Sequence, residues 1–343
     1  MADGSRIRRR ILHTADLHLG LFGGGACQVL EALVNVAIKT KADLVIIAGD
    51  FFEYNGVNDN VVSFAVEQLQ RLSVPTFILP GNHDCLVPDS VYQRANLWNG
   101  ATNIRIFRAL QGETLALPSL GISVWGKPIA SYGSDAHPLA GIPQHREKGQ
   151  WHIAVAHGHY TDTLSGFERS FPITHEEIVA SHQDYIALGH SARFRCVCSG
   201  PVKAYYCDSP SLFGTVAIVD LDETDETRVQ VAPYYLFSYT RKDMREALDD
   251  VSKHDILKAI AQFDREFPKT NDYDRWLDKR SYKYALEYEG RCYPPKKIMS
   301  MATAMPRSCF YGGWHSYGVN EYFERKDFKI ILKSECIAGP SAG

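Results

Sequence analysis

The stretch YIALGHSARF, residues 185–194, joins a short apolar segment to a glycine and a histidine. Tyr185 to Leu188 has the length and apolar character of a buried strand, and Gly189 and His190 come directly after it. A strand that ends in an imidazole places a metal-binding or proton-transferring group at the rim of a sheet. Whether His190 belongs to a site depends on the residues at the ends of the other apolar strands.

The same arrangement recurs after four other predicted strands. The polar side chains concerned are Asp16 and His18 after RILHT, Asp50 after LVIIAG, Asn82 and His83 after TFILPG, and His157 at the end of WHIAVAH. Helical patterns near residues 26–41 and 59–72 separate the early strands, which predicts an α/β sheet layered by helices. Because sites in such sheets gather at the carboxyl ends of strands, five loops should converge on one place.

The later segments predict further strands and a second part of the chain. RFRCVCSG, VKAYYCD, TVAIVDLD and RVQVAPYYLF indicate a second sheet that closes the domain. From about residue 240 the apolar period becomes helical, with Ile256, Ile260 and Phe263 on one face. SYKYALEYEG predicts a strand, and PPKKIMSMATA predicts a helix that begins at proline.

Length and composition are consistent with two domains, residues 1–240 and a small α+β domain over 241–343. The net charge of −3 is uneven, because residues 241–343 hold 19 Lys and Arg against 16 Asp and Glu. No apolar run reaches membrane-spanning length and the N-terminus has no apolar signal segment, so we expect a cytoplasmic chain. The eight cysteines form no C-x-x-C pair and are expected to be free thiols. Cys196 and Cys198 alternate along a strand, which predicts that both face the core.

Carboxylate, amide and imidazole side chains at the five strand ends form a mixed oxygen and nitrogen ligand set without thiolate. Such a set is better suited to binding Mn²⁺, Fe²⁺ or Zn²⁺ than to forming a structural zinc site. Two cations roughly 3.5–4 Å apart need a bridging carboxylate, and Asp50 is the candidate. We expect two divalent cations, Mn²⁺ first, with Fe²⁺, Zn²⁺ and Mg²⁺ as alternatives. His13, His159 and His175 are expected to pack, to support the site from outside or to lie on the surface.

The segments TADLHLG, IIAGDFFE, LPGNHDC, AVAHGHY and YIALGH together carry a family resemblance. In order and spacing they resemble the five motifs of the calcineurin-like metallophosphoesterases, most closely the nuclease branch that includes Mre11 and SbcD. The resemblance covers about residues 8–237. It implies a metallophosphoesterase β-sandwich flanked by helices, α/β/β/α, and hydrolysis of phosphoesters with two metals.

The resemblance also implies a role for each motif residue. The metal ligands would be Asp16 and His18 at the first metal, Asp50 between the metals, and Asn82, His157 and His190 at the second. His83 matches the histidine that protonates the leaving oxygen or steadies the transition state. Asp84 would orient His83 through its other ring nitrogen.

One position departs from the family pattern. The last motif of the family is G-H-x-H, whose second histidine binds the first metal, and Ala192 stands at that position here. A methyl group cannot bind a cation, so cation affinity at the first site should fall. Because the other ligands are intact, we favour an inactivating substitution of a native histidine. A natural variant with weak or single-metal activity is the alternative.

The last hundred residues mix aromatic and basic side chains, as nucleic-acid modules do, although a hydrophobic core explains such rings equally well. The candidate nucleic-acid-binding residues are Arg275, Arg280, Lys283, Lys296 and Lys297. DILKAIAQFDREF, YALEYEGRCYPPKKIMSMA, FYGG and YFERKDFKI resemble the small head domain of the ScoMcrA restriction endonuclease. That resemblance implies a bacterial DNA-targeting protein of the kind used in anti-phage defence.

These features predict a metal-dependent DNA nuclease. The alternatives are a phosphodiesterase or phosphatase for a cyclic nucleotide or another nucleotide, and a catalytically dead DNA-binding subunit. The resemblance to the nuclease branch adds an ATPase subunit and a second copy of the chain, as a homodimer, to the candidate partners. We expect no interaction with a membrane.

Overall fold

The computed structural model describes residues 8–20, 25–133, 135–144, 150–161, 170–191, 193–237, 241–267, 273, 276–279, 282–303, 305, 307–310, 312–314 and 318–338. By its internal contacts the chain divides into two compact units. The first comprises Met1–Gly20 and Ala26–Leu236, and the second comprises Leu21–Gly25 and Phe237–Gly343. Independent folding of two domains that meet at residue 240 stays a prediction.

Strands and helices alternate along the first part of the chain, as the sequence predicts. Up to residue 237 the strands are β1 (Arg9–Thr14), β2 (Leu44–Ala48), β3 (Thr76–Leu79), β4 (Ile104–Ile106), β5 (Glu113–Leu117), β6 (Ile122–Gly126), β7 (Trp151–His157), β8 (His159–Thr161), β9 (Pro172–Thr174), β10 (Tyr185–Gly189), β11 (Arg195–Cys198), β12 (Lys203–Tyr206), β13 (Thr215–Leu221) and β14 (Val229–Tyr235). The helices are α1 (Gly25–Lys39), α2 (Asp59–Gln70), α3 (Ala95–Trp98), α4 (His175–Ala180) and α5 (Pro210–Phe213).

Two large sheets form the centre of the first unit. Among the described residues each has six strands, in the orders β14-β13-β1-β2-β3-β4 and β11-β12-β10-β7-β6-β5. The strands β1 to β4 are mutually parallel, as are β6, β7, β10 and β12. The carboxyl ends of β1, β2 and β3 therefore point the same way in one sheet, and those of β7 and β10 do so in the other.

The two sheets stack with helices outside them, so the architecture is α/β/β/α. Ile11 and Ile46 of the first sheet pack against Ile153 and Tyr185 of the second in one buried cluster. Alternate residues such as Leu12 pack instead against α1 and α2. Because successive side chains of a strand point to opposite faces, β1 and β2 are buried on both sides and read as continuous apolar runs.

The predicted second sheet is wrong in its composition. The four late strands do not form a sheet of their own, because β12 pairs with β10 in one sheet and β13 pairs with β1 in the other. The expectation for Cys196 and Cys198 is also wrong. A register shift between these two residues breaks the alternation, so Cys196 is exposed while Cys198 is buried.

The second unit is a small α+β structure. Its elements are α6 (Arg241–Asp250), α7 (Lys253–Glu266), β15 (Tyr284–Tyr288), β16 (Arg291–Tyr293), α8 (Pro295–Thr303), α9 (Val319–Glu324), β17 (Lys329–Leu332) and α10 (Lys333–Ala338). The antiparallel sheet has the order β16-β15-β17. Ile256, Ile260 and Phe263 are buried in its core, as predicted.

One cysteine prediction fails in the second unit. Cys292 of β16 and Cys336 of α10 form a disulfide, so these two thiols are not free. Their separation of 44 residues gives no local pattern from which a pairing could be read. The other six cysteines are free, as expected. None of the helices built from described residues is long and apolar enough to span a bilayer.

Candidate metal centre

The five strand-end loops of the first unit meet at one place. Backbone hydrogen bonds join the first two loops, because the amide of Asp16 donates to the carbonyl of Gly49 at 3.0 Å. The His190 amide donates to Asp16 Oδ2 at 3.0 Å, which brings a loop of the second sheet to the first. The His83 amide donates to Asp50 Oδ1 at 2.9 Å. The predicted convergence of the motifs is therefore present in the structure.

Glycine allows the strands to approach this closely. A Cβ at Gly189 would lie 1.8 Å from the carbonyl oxygen of Ala48, which belongs to the facing sheet. A Cβ at Gly81 would lie 2.2 Å from Asp50 Oδ1. Both distances are far below van der Waals contact. The glycine that precedes His190 and the one that precedes Asn82 are thus needed to assemble the site.

Several site residues have unusual backbone conformations. The φ angles of Asp16, His18, Asp50 and His190 are 54°, 51°, 50° and 91°. Non-glycine residues seldom adopt this left-handed region, which costs of order 1–3 kcal/mol for each residue. Such conformations persist where the surrounding structure enforces them, and they concentrate at functional sites.

Two groups of ligand-type atoms share one carboxylate. Asp16, His18 and Asp50 form the first group, and Asp50, His157 and His190 form the second. Within each group the candidate ligand atoms lie within 4.8 Å of one another. Asp50 is 2% exposed and belongs to both groups, as expected of a bridging ligand. The ligand roles themselves stay predictions.

The second group fits a bound cation. His157 Nδ1 lies 2.8 Å from the carbonyl oxygen of Ala48, so in a neutral imidazole Nδ1 carries the proton and Nε2 presents a lone pair. That Nε2 lies 3.0 Å from Asn82 Oδ1 and 3.2 Å from Asp50 Oδ2. His190 Nδ1 lies 2.9 Å from the same Asn82 oxygen. Acceptor atoms gathered in this way repel one another unless a proton or a metal cation lies among them.

The neighbouring carboxylates stabilise positive charge at this cluster. Burial by itself lowers the pKa of His157, but the charge of Asp50 outweighs it and raises this pKa to about 9. Burial likewise tends to raise the pKa of Asp50, but the charges of His157 and His18 hold it well below its usual range. The cluster therefore already stabilises positive charge, which is the property that a cation site needs.

The remaining ionisable groups respond to burial and to one another. Burial raises the pKa of Asp16 to about 6, with the charge of Asp50 adding to the effect. Burial also lowers the pKa of His190 to about 3, helped by the charge of His157. His190 is thus neutral near pH 7, the form in which imidazole binds a metal.

The predicted partnership of His83 and Asp84 is wrong in this structure. Asp84 is fully buried and accepts hydrogen bonds from the Gly81 amide at 2.7 Å and the Tyr92 hydroxyl at 2.5 Å. His83 Nδ1 instead lies 2.8 Å from the carbonyl oxygen of Glu53. The Phe52 amide, in the loop that follows Asp50, also donates to Asp84 Oδ2 at 3.0 Å, so Asp84 ties its own loop to that neighbouring loop. The carbonyl of Glu53 orients the His83 ring.

Glu53 is a site residue that the strand-end pattern of the sequence does not predict. Its carboxylate lies 2.7 Å from His18 Nδ1, and its carbonyl oxygen accepts from His83. Glu53, His18 and His83 also form a group that could hold a metal ion. The available signal was the position of this acid three residues after Asp50 in GDFFE.

The three other histidines behave differently from one another. His13 is fully buried between the sheets and lies 2.8 Å from the Tyr185 hydroxyl, so it is a packing residue. The ring of His159 packs edge-on against His190, with centroids 5.0 Å apart, next to the ligand groups. His175 lies near the surface, 3.3 Å from the hydroxyl of Tyr160.

Some predicted residues lie outside the centre or outside the described residues. Ala192, Arg275 and Arg280 are not among the described residues. Lys283 and Lys296 line one cavity of the second unit, whereas the Lys297 ammonium lies over the ring of Tyr273, 5.6 Å from its centroid. Of the three candidate nucleic-acid-binding residues that the structure describes, Lys283 and Lys296 therefore lie at the same cavity.

Comparison with known proteins agrees with the motifs. The model of the calcineurin-like phosphoesterase family matches residues 9–207. The uncharacterized metallophosphoesterase YhaO of Bacillus subtilis is 26% identical over 206 residues, which are 52% of this chain and 47% of that protein. The DNA double-strand break repair protein Mre11 of Saccharolobus solfataricus is 29% identical over 164 residues, 43% of this chain and 40% of that protein. The chain thus spans about half or less of the length of these curated relatives.

Proposed function

This chain belongs to the calcineurin-like phosphoesterase family, and on that premise we propose that it is a nuclease that hydrolyses phosphodiester bonds of DNA with two divalent cations. Members of the family are metal-dependent phosphoesterases, and the candidate ligand groups agree with this. Mn²⁺ is the proposed cation. The DNA substrate rests on the similarity to Mre11 of Saccharolobus solfataricus, a protein named for DNA double-strand break repair.

The observation that carries the proposal is the shared carboxylate of Asp50. It belongs both to the group with Asp16 and His18 and to the group with His157 and His190. When bound there, two cations would neutralise charge that develops on the phosphoryl oxygens and lower the pKa of attacking water. A single isolated cation site would not need an acid that belongs to both groups.

The protein side chains supply orientation and proton transfer. Because the Glu53 carbonyl holds the Nδ1–H of His83, the other nitrogen, Nε2, is left to face the substrate. In the imidazolium form Nε2–H can give its proton to the leaving oxygen, and the ring then becomes neutral. The hydrogen bond from the His83 amide to Asp50 Oδ1 fixes this histidine beside the shared carboxylate. The half-buried position of His83 leaves it within reach of a substrate.

Ala192 weakens the first ligand group in this proposal. The group keeps Asp16, His18 and Asp50, and water would complete the coordination of its cation. We propose that a histidine at this position restores full activity and that the present chain is impaired. A role in bacterial anti-phage defence, an ATPase partner and a homodimer belong to the same proposal.

Cleavage assays with several substrates test the substrate class. Labelled linear DNA, circular DNA, a cyclic nucleotide and a nucleoside monophosphate are each incubated with Mn²⁺ and either this chain or Ala192→His, with Asp50→Ala as the blank. We expect Ala192→His to cut DNA faster than this chain does and the blank to cut nothing. Hydrolysis of the cyclic nucleotide or the monophosphate without cleavage of DNA would replace the nuclease by a small-molecule enzyme. DNA binding without hydrolysis of any substrate would indicate a catalytically dead binding subunit.

A further inference from the structure

The second unit contains a cavity that none of the candidate metal ligands lines. It has a volume of about 260 Å³. Its wall includes Tyr282, Lys283, Tyr284, Lys296 and Asn320, and we refer to it as the Asn320 cavity. The start of β15, the first turn of α8 and the start of α9 meet around it. Polar, basic and aromatic groups therefore come together in one small space.

Asn320 is the first indication of a ligand. Its side chain is 0% exposed, and neither its amide nitrogen nor its amide oxygen has a hydrogen-bond partner among the described residues. A buried amide without partners is costly, so such groups in native proteins call for an explanation. Because Asn320 forms part of a cavity wall, a ligand with its own donor and acceptor would satisfy both atoms.

The two lysines are the second indication. No residue in the described part of the chain forms an ion pair or a hydrogen bond with the ammonium group of Lys283 or Lys296, and Lys296 is half-buried. Burial and the nearby charge of Arg307 both lower the pKa of Lys296. Positive charges that face a cavity without a carboxylate partner attract an anion. Phosphate is the anionic group that such lysines commonly bind.

Aromatic rings complete the cavity. The hydroxyl of Tyr282 accepts a hydrogen bond from Arg307 Nη1 at 2.8 Å, which fixes that ring in place. The ring of Tyr284 packs edge-on against Trp314, with centroids 4.7 Å apart, and Trp314 is 46% exposed. Fixed rings beside basic groups form stacking surfaces for nucleobases.

These three features together select one class of ligand. An inorganic anion would use the lysines but has no face to stack on the aromatic rings, whereas a neutral sugar would leave the lysines without a counter-charge. A nucleobase has an edge that bonds to an amide and a face that stacks on an aromatic ring, and its nucleotide carries a phosphate. A cavity of about 260 Å³ is too small for a duplex and is close in size to the smallest pockets that hold small-molecule ligands.

We propose that the Asn320 cavity binds a single nucleotide, with the base edge at Asn320, the ring against the tyrosines and the phosphate at Lys283 and Lys296. The nucleotide has two sources, an unpaired position of a DNA strand or a free nucleotide. A DNA source deepens the proposed nuclease function and in that respect rests on it. Binding in the cavity does not depend on the metal centre.

The test is fluorescence anisotropy of a labelled single-stranded oligonucleotide with the full chain in EDTA, which keeps hydrolysis out of the measurement. The variants are Asn320→Leu and Lys296→Gln, with Lys258→Gln as the charge-matched control on the exposed face of α7. Asn320→Leu should weaken binding by about tenfold, the effect of losing one amide-to-base pair. It should not lower the melting temperature, because the amide has no partner to lose among the residues described around it.

The lysine variants test the phosphate contact, and the competitors test the source of the nucleotide. Lys296→Gln should weaken binding and reduce its salt dependence by about one phosphate contact, and Lys258→Gln should change neither. Tight competition by a deoxynucleoside monophosphate would identify a free nucleotide as the ligand, and weak competition would identify the DNA strand. No competition at all would overturn the proposal. Competition by inorganic phosphate as strong as that by nucleotides would overturn the proposal, as would unchanged binding by both cavity variants.

The outcomes separate this inference from the nuclease proposal. A chain that binds the oligonucleotide through the Asn320 cavity but never cleaves DNA in Mn²⁺ retains the inference and loses the proposed function. A chain that cleaves DNA while Asn320→Leu and Lys296→Gln bind normally retains the function and loses the inference.

Discussion

The stability of the first unit should depend on pH through His13. This imidazole is fully buried between the sheets and contacts the Tyr185 hydroxyl at 2.8 Å. Burial lowers its pKa from 6.5 to about 3, although a hydrogen bond with the backbone of Leu188 opposes the shift. The unfolded chain therefore binds a proton at pH values below about 6.5, and the folded protein does not until about pH 3.

The sign and size of the effect can be worked out from this difference. Because the unfolded state binds more protons between these pH values, the free energy of unfolding falls as the pH falls below 6.5. Each pH unit is worth about 1.4 kcal/mol, so His13 should cost about 2.7 kcal/mol at pH 4.5 relative to pH 7.5. The contribution is already complete above the unfolded pKa, and stability should not rise further there.

A comparison with His13→Asn isolates this residue from the other ionisable groups. Asn cannot titrate, and its amide can take the place of the ring nitrogen beside Tyr185. Urea denaturation in EDTA at pH 7.5 and pH 4.5 gives the stability of both proteins. The stability advantage of the present chain over His13→Asn should shrink by about 2.7 kcal/mol at the lower pH. An advantage that is the same at both pH values would refute the assignment of a buried, neutral His13.

Three further predictions concern other parts of the chain. Gly189→Ala should lower the free energy of unfolding by about 1–3 kcal/mol in urea denaturation and weaken Mn²⁺ binding, because the added Cβ has no space. Gly200→Ala places its Cβ in open space and should change neither quantity. Equal effects of the two variants would contradict this explanation. Tyr92→Phe removes a short hydrogen bond to the buried carboxylate of Asp84 and should lower the free energy of unfolding by about 1.5–3 kcal/mol, and an unchanged denaturation curve would count against that bond. Cys336→Ser opens a disulfide across 44 residues and should destabilise the second unit by about 4 kcal/mol. A reductant should lower the melting temperature of the present chain but not of this variant, and a reductant effect on both would implicate another thiol.

The sequence was most informative where strands end. Apolar runs that lead into glycine and a polar residue predicted which loops meet, because parallel strands place their carboxyl ends at one edge. The hydrogen bonds from the Asp16 amide to the Gly49 carbonyl and from the His190 amide to the Asp16 carboxylate agree with that expectation. Local pattern sufficed here because strand direction and chain order constrain the result.

The errors concern contacts that depend on the path of the chain in space. Side-chain direction within the loop after β3 turns Asp84 towards Gly81 and Tyr92, which adjacency to His83 in sequence does not reveal. The helix α5 lies between β12 and β13 in the chain. The strands before it, β11 and β12, join one sheet beside β10, and the strands after it, β13 and β14, join the other sheet beside β1. The disulfide between Cys292 and Cys336 likewise depends on packing between elements far apart in sequence.

Calorimetric titration of Mn²⁺ into the metal-free chain, Ala192→His and Asp50→Asn tests the two-cation centre most directly. Because Asp50 belongs to both ligand groups, Asp50→Asn should lose both binding events while its melting temperature shows that it remains folded. Ala192→His should bind two Mn²⁺ ions, and this chain should bind one of them distinctly more weakly. Retention of both binding events by folded Asp50→Asn would contradict the shared carboxylate and with it the proposed centre.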